Sequence, residues 1–261
     1  MLAKSGHKIE NIMATNLHGI CFPDDDQEQV ALDMAKHNFL ALPVVERGTN
    51  RLLGIITHDD IMDVVREEAT EDLQKLVGAG PDECIRDSVA EGVRRRWPWL
   101  IVNLLTAFGA AAIIRNFEET IKQVILLAAF MPIVASLAGN AGHQTLSIAI
   151  RSIATGDIHK GDALPLCGKE LAKGLINGIL IGLAGGLGAY FISGQDLQMG
   201  LTIFLAMILT MALAGFTGAF IPLFLKRINL DPAQSSSIFL TAITDMAGFF
   251  IFLQLASLLL L

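Results

Sequence analysis

Residues 233–261 read AQSSSIFLTAITDMAGFFIFLQLASLLLL, a run of 29 residues with one ionisable side chain, Asp245. A helix needs roughly 20 predominantly apolar residues to cross the hydrocarbon core of a bilayer, so this run is long enough to span it. Asp245 falls about 12 residues in, or roughly 18 Å along the axis at 1.5 Å per residue, close to the bilayer middle. An aspartate at that depth costs about 2.5 to 3.5 kcal/mol on insertion scales, so it should face protein, water or an ion rather than lipid. Ser235, Ser236, Ser237, Thr241 and Thr244 give the same helix a polar stripe. A hydrogen-bonded packing residue is the plain alternative, but intramembrane carboxylates more often mark an ion path.

Four further apolar stretches precede this one, at residues 97–114, 123–150, 174–192 and 197–225. Five crossings put the two ends of the chain on opposite sides of the membrane. Arg94, Arg95, Arg96, Arg151, Lys160, Lys169, Lys173, Lys226 and Arg227 fall on one side, whereas the opposite connections hold only Arg115 and Lys122. The positive-inside rule then predicts that the amino-terminal part is cytoplasmic and the carboxyl end outside. No signal-like apolar segment opens the sequence, which agrees. In the second stretch, Pro132 removes a backbone donor, and Gly139-Asn140-Ala141-Gly142-His143-Gln144 places small residues among polar ones. Such a segment either packs helices closely or loosens carbonyls around a cavity. Gly178, Gly182, Gly185, Gly186 and Gly188 read as a packing seam.

The front of the chain is different. Residues 1–90 hold 8 Lys or Arg against 17 Asp or Glu, whereas residues 91–261 hold 11 against 9. An acidic surface repels nucleic acid and attracts cations, so a nucleic-acid partner is excluded. Cys21, Cys84 and Cys167 have neither zinc spacing nor a disulfide pattern and read as packing residues. Residues 42–45 and 52–57 predict strands around a Gly48-Thr49-Asn50 turn, and residues 59–77 predict a helix with Ile61, Val64, Val65, Leu73 and Leu76 on one face. Opposite them stand Asp60, Asp63, Glu67, Glu68, Glu71 and Asp72, with only Arg66 and Lys75 to offset the repulsion. Asp24, Asp25, Asp26 and Glu28 form a second acidic group. Magnesium binds through one or two carboxylates while keeping several waters, so such a face suits a cation sensor as well as it suits plain solvation. A helix from Pro81 to Arg96 is expected to connect this part to the membrane.

The segments Leu42-Pro43-Val44-Val45 and Gly54-Ile55-Ile56-Thr57-His58-Asp59-Asp60 resemble a CBS domain, the likeness starting near Ile9. In such domains residues matching Thr57 and Asp60 often meet the ribose of an adenine nucleotide, which makes ATP a candidate ligand; Thr57 as a simple helix cap is the other reading. Further on, Trp97-Pro98-Trp99-Leu100, Asn103-Leu104-Leu105-Thr106-Ala107-Phe108, Phe117-Glu118, Ala129-Phe130-Met131-Pro132, Gly139-Asn140-Ala141-Gly142 with Gln144, Arg151 with Ala154-Thr155-Gly156, and Leu240-Thr241 through Thr244-Asp245 to Gly248-Phe249 occur in order. Together they resemble the MgtE magnesium channel family along nearly the whole chain.

The resemblance implies a small α/β CBS unit at residues 1–78, a plug-like connecting helix at 79–96, and an all-α membrane domain of five transmembrane helices at 97–261. It implies a homodimer in the lipid bilayer, with a pore between the second and fifth helices of both subunits. In that pore Asp245 would hold hydrated Mg2+, with Gly139, Asn140, Ala141, Gly142, Thr241 and Thr244 lining it. Asp60, Asp63, Glu68, Glu71 and Asp72, and more loosely Asp26 and Glu28, match regulatory carboxylates at which cytosolic Mg2+ closes the channel. The family usually carries an acidic helical domain and a first CBS unit before the matched part, so this sequence is either a short homologue or a fragment. Ala138 and His143 also depart from the usual glycine and small hydroxyl residue. Two rival readings remain: a proton-coupled exchanger using Asp245, and a membrane-anchored nucleotide sensor that transports nothing. An enzyme is disfavoured, because the sequence offers no nucleophile-base pair or metal cluster with catalytic spacing.

Overall fold

The computed structural model of the chain describes residues 8, 19–80, 83–158 and 161–261, without the side chains of Ala69, Asp72, Gln234 and Ser235. It divides into two compact units between Glu71 and Asp72. In the first, Asp26 starts helix α1 (Gln27–His37): its carboxylate accepts from the Glu28 amide at 3.0 Å, satisfying a donor that has no partner inside the helix. Asn38, at φ 52°, ends the helix in the left-handed region. Strands β1 (Ala41–Val45) and β2 (Leu52–Thr57) pair antiparallel, with Ala41 opposite Thr57 and Leu42 opposite Ile56. Gly48 and Asn50, both at positive φ, reverse the chain between them. Cys21, Val30, Ala31, Met34, Leu42 and Ile61 close a small core. Helix α2 (His58–Leu76) starts in this unit, and the division falls within it. Its apolar residues do not share one fate: Ile61 is buried, whereas Val65 and Leu73 are exposed.

The second unit is helical. The five apolar stretches are helices α3 (Val89–Asn116), α5 (Leu126–Ala154), α6 (Ala163–Ile192), α7 (Leu197–Arg227) and α8 (Pro232–Leu259), with a short α4 (Glu118–Gln123) between the first two. All five are long and apolar enough to cross a membrane. The fold is therefore a small α/β unit followed by an all-α part, as expected. The helix expected from Pro81 starts instead at Val89, where Ser88 and Glu91 form a reciprocal capping box, and it runs unbroken through Pro98 to Asn116. Pro81 itself lies outside the described residues. Helix α6 starts 11 residues before its apolar stretch, because Lys169, Glu170 and Lys173 interrupt the hydropathy but not the helix.

Helix α7 is the centre of the bundle. Its Met199, Ile203, Ala206, Met207 and Met211 join Leu127, Phe130, Val134, Phe252, Leu253 and Ala256 from α5 and α8 in one core. Helix α6 approaches α7 through glycines. A Cβ at Gly174 would press on the Met211 carbonyl, one at Gly178 would lie 2.7 Å from Ile208 Cα, and one at Gly186 2.8 Å from the Gly200 carbonyl. Gly185 and Gly188 stand outside this tight contact. Of the three cysteines, Cys21 and Cys167 are buried, but Cys84 is exposed and is not a packing residue.

Candidate functional site

Asp231 caps α8: one carboxylate oxygen accepts from the Ala233 amide at 2.8 Å, and Pro232 occupies the first helical turn. From Pro232, 13 residues of helix put Asp245 roughly 20 Å along the axis. Its side chain is half-buried and lines a cavity of about 240 Å³. Thr241 and Ser237, one and two turns earlier, line the same cavity, and α3 supplies Asn103 and Thr106 from the facing wall. Lys75, Val77 and Gly78, at the end of α2 and just beyond it, complete the lining. The Thr241 hydroxyl donates to the Ser237 carbonyl at 2.9 Å, so its oxygen lone pairs stay available to a water or an ion's hydration shell. Thr244 is 2% exposed, donates to the Leu240 carbonyl at 2.9 Å, and is packed inside the bundle rather than on the cavity.

The glycine-asparagine segment of α5 splits between two roles. A Cβ at Gly142 would lie 3.0 Å from a Leu240 methyl, and one at Gly218 would lie 2.6 Å from the Gly142 carbonyl, so Gly142 lets α5, α7 and α8 meet. Ala141 packs against the main core. Gly139 faces open space and Asn140 is exposed. Exposed Gln144 and Ser147 continue from Asn140 at four- and seven-residue spacing, which places a polar stripe on the outside of α5. His143 ties this segment to α8: Nδ1 donates to the Gly139 carbonyl at 2.8 Å, and Nε2 stands 3.2 Å from the Ser237 hydroxyl. A neutral ring satisfies both contacts, with the serine donating to Nε2.

In the first unit, several of the acidic residues are engaged locally. The Thr57 amide and hydroxyl donate to Asp60 at 2.9 and 2.7 Å, which holds the Asp60 carboxyl below its usual range and is the helix-start arrangement. A ribose at this position would have to take over those hydrogen bonds. Gln27 of α1 donates to Glu68 of α2 at 2.7 Å. Asp26 is spent on capping α1, with Glu28 in its first turn. Asp24 and Asp25 both bind Arg47, at 3.0 and 2.9 Å, beneath which lies the Phe22 ring. Asp63 is exposed and Glu71 half-exposed on α2; the Asp72 side chain lies outside those described. Among the described residues, no three His, Cys, Asp or Glu side chains converge as a metal-holding group.

With this geometry in place, comparison with known proteins is decisive for the family. Residues 131–255 match the MgtE family model, described as a divalent cation transporter, and residues 9–67 match the CBS domain model. The chain belongs to the MgtE family. It is 32% identical over 259 residues to the magnesium transporter MgtE of Bacillus subtilis, covering 98% of this chain and 56% of that protein. It is 33% identical to those of Enterococcus faecalis over 236 residues and Thermus thermophilus over 239, covering 51% and 52% of their lengths. The chain thus spans about half the length of the curated MgtE relatives it matches. Within the MgtE match lie α5 from Met131 onward, all of α6 and α7, and the polar turns of α8, including Asp245.

Sequence reasoning missed the other walls of the cavity. Asn103 and Thr106 carry a signal, two polar side chains three residues apart in an apolar stretch. Lys75, read only as offsetting the acidic face of α2, binds Asp231 at 2.8 Å.

Proposed function

We propose that this chain forms, as a homodimer, the pore and one regulatory unit of an MgtE-type channel or transporter that imports Mg2+ across the cytoplasmic membrane. The observation that carries the reading is Asp245, a carboxylate about 20 Å into an apolar helix, on a cavity lined by Thr241, Ser237, Asn103 and Thr106. Mg2+ gives up its waters reluctantly, so hydroxyl and amide groups that accept from or donate to a hydration shell suit it better than a closed cage of direct ligands. Asp245 supplies the negative potential without stripping that shell. Two features support a second copy across the pore. Only 6% of the most apolar part of α3 is buried within one chain, and α5 turns Asn140, Gln144 and Ser147 outward, a stripe that lipid would leave unsatisfied. In this reading the CBS unit is cytoplasmic and the carboxyl end outside, an orientation that the basic connections support.

Cytosolic Mg2+ closes the pore in this reading. Carboxylates on α2, with Asp63, Glu68 and Glu71 foremost, lose their mutual repulsion when a hydrated dication bridges them to a second acidic surface. No complete metal-holding cluster stands within the described part of one chain, so the bridging ligands come from water and from a second acidic face. ATP at Thr57 and Asp60 would act on the same unit by competing with the helix cap.

The test is Mg2+ uptake into liposomes holding the purified chain, with rescue of a bacterium deficient in magnesium import alongside. Wild type takes up Mg2+ and rescues; Asp245→Asn loses at least tenfold in flux. Flux coupled stoichiometrically to a proton gradient would replace the channel with an exchanger, and wild-type chain that neither transports nor rescues would refute the proposal.

A further inference from the structure

The cavity that holds Asp245 also holds a fixed cation. Lys75, in the last turn of α2, lines it, and its ammonium binds Asp231 at 2.8 Å with only 18% of the side chain exposed. Asp231 uses its two oxygens for two different tasks: Oδ1 caps α8 through the Ala233 amide, and Oδ2 receives Lys75. The last turn of α2 is therefore tied to the N-cap of the helix that carries Asp245. Both groups belong to the second compact unit.

We propose that Lys75, which lines the Asp245 cavity, is a tethered surrogate cation that occupies the Asp231 carboxylate and must be displaced before a divalent cation can use that carboxylate. The inference rests on the reading of this cavity as a cation path. Paired, Lys75 and Asp231 offset each other, and an approaching cation finds that carboxylate occupied. When α2 shifts and withdraws the ammonium, Asp231 becomes a free carboxylate at the start of the helix whose middle carries a second one. Motion of the sensor helix is thus converted into a change of charge at Asp231, with no change of shape required in α8. The two members of the pair act in opposite senses. Removing the lysine charge makes the local potential more attractive to a cation, whereas removing the aspartate charge makes it less so.

That opposition supplies a test that does not need transport. Thr106→Cys on the cavity wall, in a Cys84→Ser background, is labelled with a cationic and with a neutral methanethiosulfonate reagent at low ionic strength, and the ratio of the two rates is read. One unit charge at roughly 10 Å in a half-aqueous setting changes local cation concentration about threefold. Lys75→Gln is expected to raise the ratio about threefold and Asp231→Asn to lower it by a similar factor. Asn retains the α8 cap, Lys75→Arg keeps the wild-type ratio, and the neutral reagent corrects for any change in access. Lys75→Met repeats the first arm with an apolar side chain of similar length. Opposite shifts support the tethered cation even if flux assays show no transport; equal ratios, or shifts of the same sign, overturn it even if transport is confirmed.

Discussion

Gly178→Ala should destabilise the bundle by about 2 kcal/mol more than Gly188→Ala, although both changes add the same methyl group to the same helix. A Cβ at position 178 would sit 2.7 Å from Ile208 Cα and 3.0 Å from the Met207 carbonyl. Carbon atoms rest at about 3.5 to 4.0 Å, so α6 and α7 must separate by about 1 Å at that level. The obstructing atoms are backbone, and no rotamer change can relieve them. Overpacking of this kind costs about 1 to 3 kcal/mol. At Gly188 nothing lies within 4 Å. The gain in helix propensity from Gly to Ala, about 0.8 to 1 kcal/mol, applies at both sites and drops out of the difference. Unfolding of the two variants by sodium dodecyl sulfate titration in mixed micelles reads that difference directly. Equal stabilities, or a greater loss at Gly188, would refute the account of α6 as a helix seated on α7 through its glycine seam.

Three further outcomes are expected. The Glu83 carboxyl lies below its usual range chiefly because the Arg96 guanidinium donates to it at 2.6 Å. Its stabilising contribution is therefore complete above the ordinary glutamate value and is lost as pH falls through the lower folded value. Glu83→Gln should be less stable than wild type at neutral pH and converge with it in acid; a gap that persists unchanged into acid would argue against the pair. Neutralising Asp63, Glu68 and Glu71 together should weaken Mg2+-dependent closure in liposome flux, and unchanged inhibition would remove them from the sensor. His143→Ala should cost about 1 kcal/mol for the Ser237 hydrogen bond lost between α5 and α8, measured by the same micelle titration, and an unaltered midpoint would dismiss the bridge.

Hydropathy located every membrane helix because each carries an apolar run long enough to span, and it misplaced the starts of α3 and α6 for the same reason. Arg94, Arg95 and Arg96 in α3, and Lys169 and Lys173 in α6, lower the hydropathy without breaking the helix. The capping box of Ser88 and Glu91 was visible as a spacing and marks the true start of α3. Asp245 was legible because a lone carboxylate in such a run has few explanations. The partition of its surroundings was not. Thr241 and Thr244 differ by three residues, yet one lines the cavity and the other is buried, since only packing against α5 and α7 decides which side of α8 faces inward. Gly139 and Gly142 divide in the same way. The link between Lys75 and Asp231 joins residues 156 positions apart, and nothing local in either segment announces it.

The hydrated dication proposed at Asp245 can be located by its own scattering. Mn2+, a dication that scatters anomalously, is diffused into crystals of the wild-type chain and of Asp245→Asn in lipid. The account predicts an anomalous peak about 4 to 5 Å from the Asp245 carboxylate, the distance of a metal seen through one of its own waters, and no peak in the variant. An ion found elsewhere along the helices, with the same occupancy when Asp245 is asparagine, would contradict it.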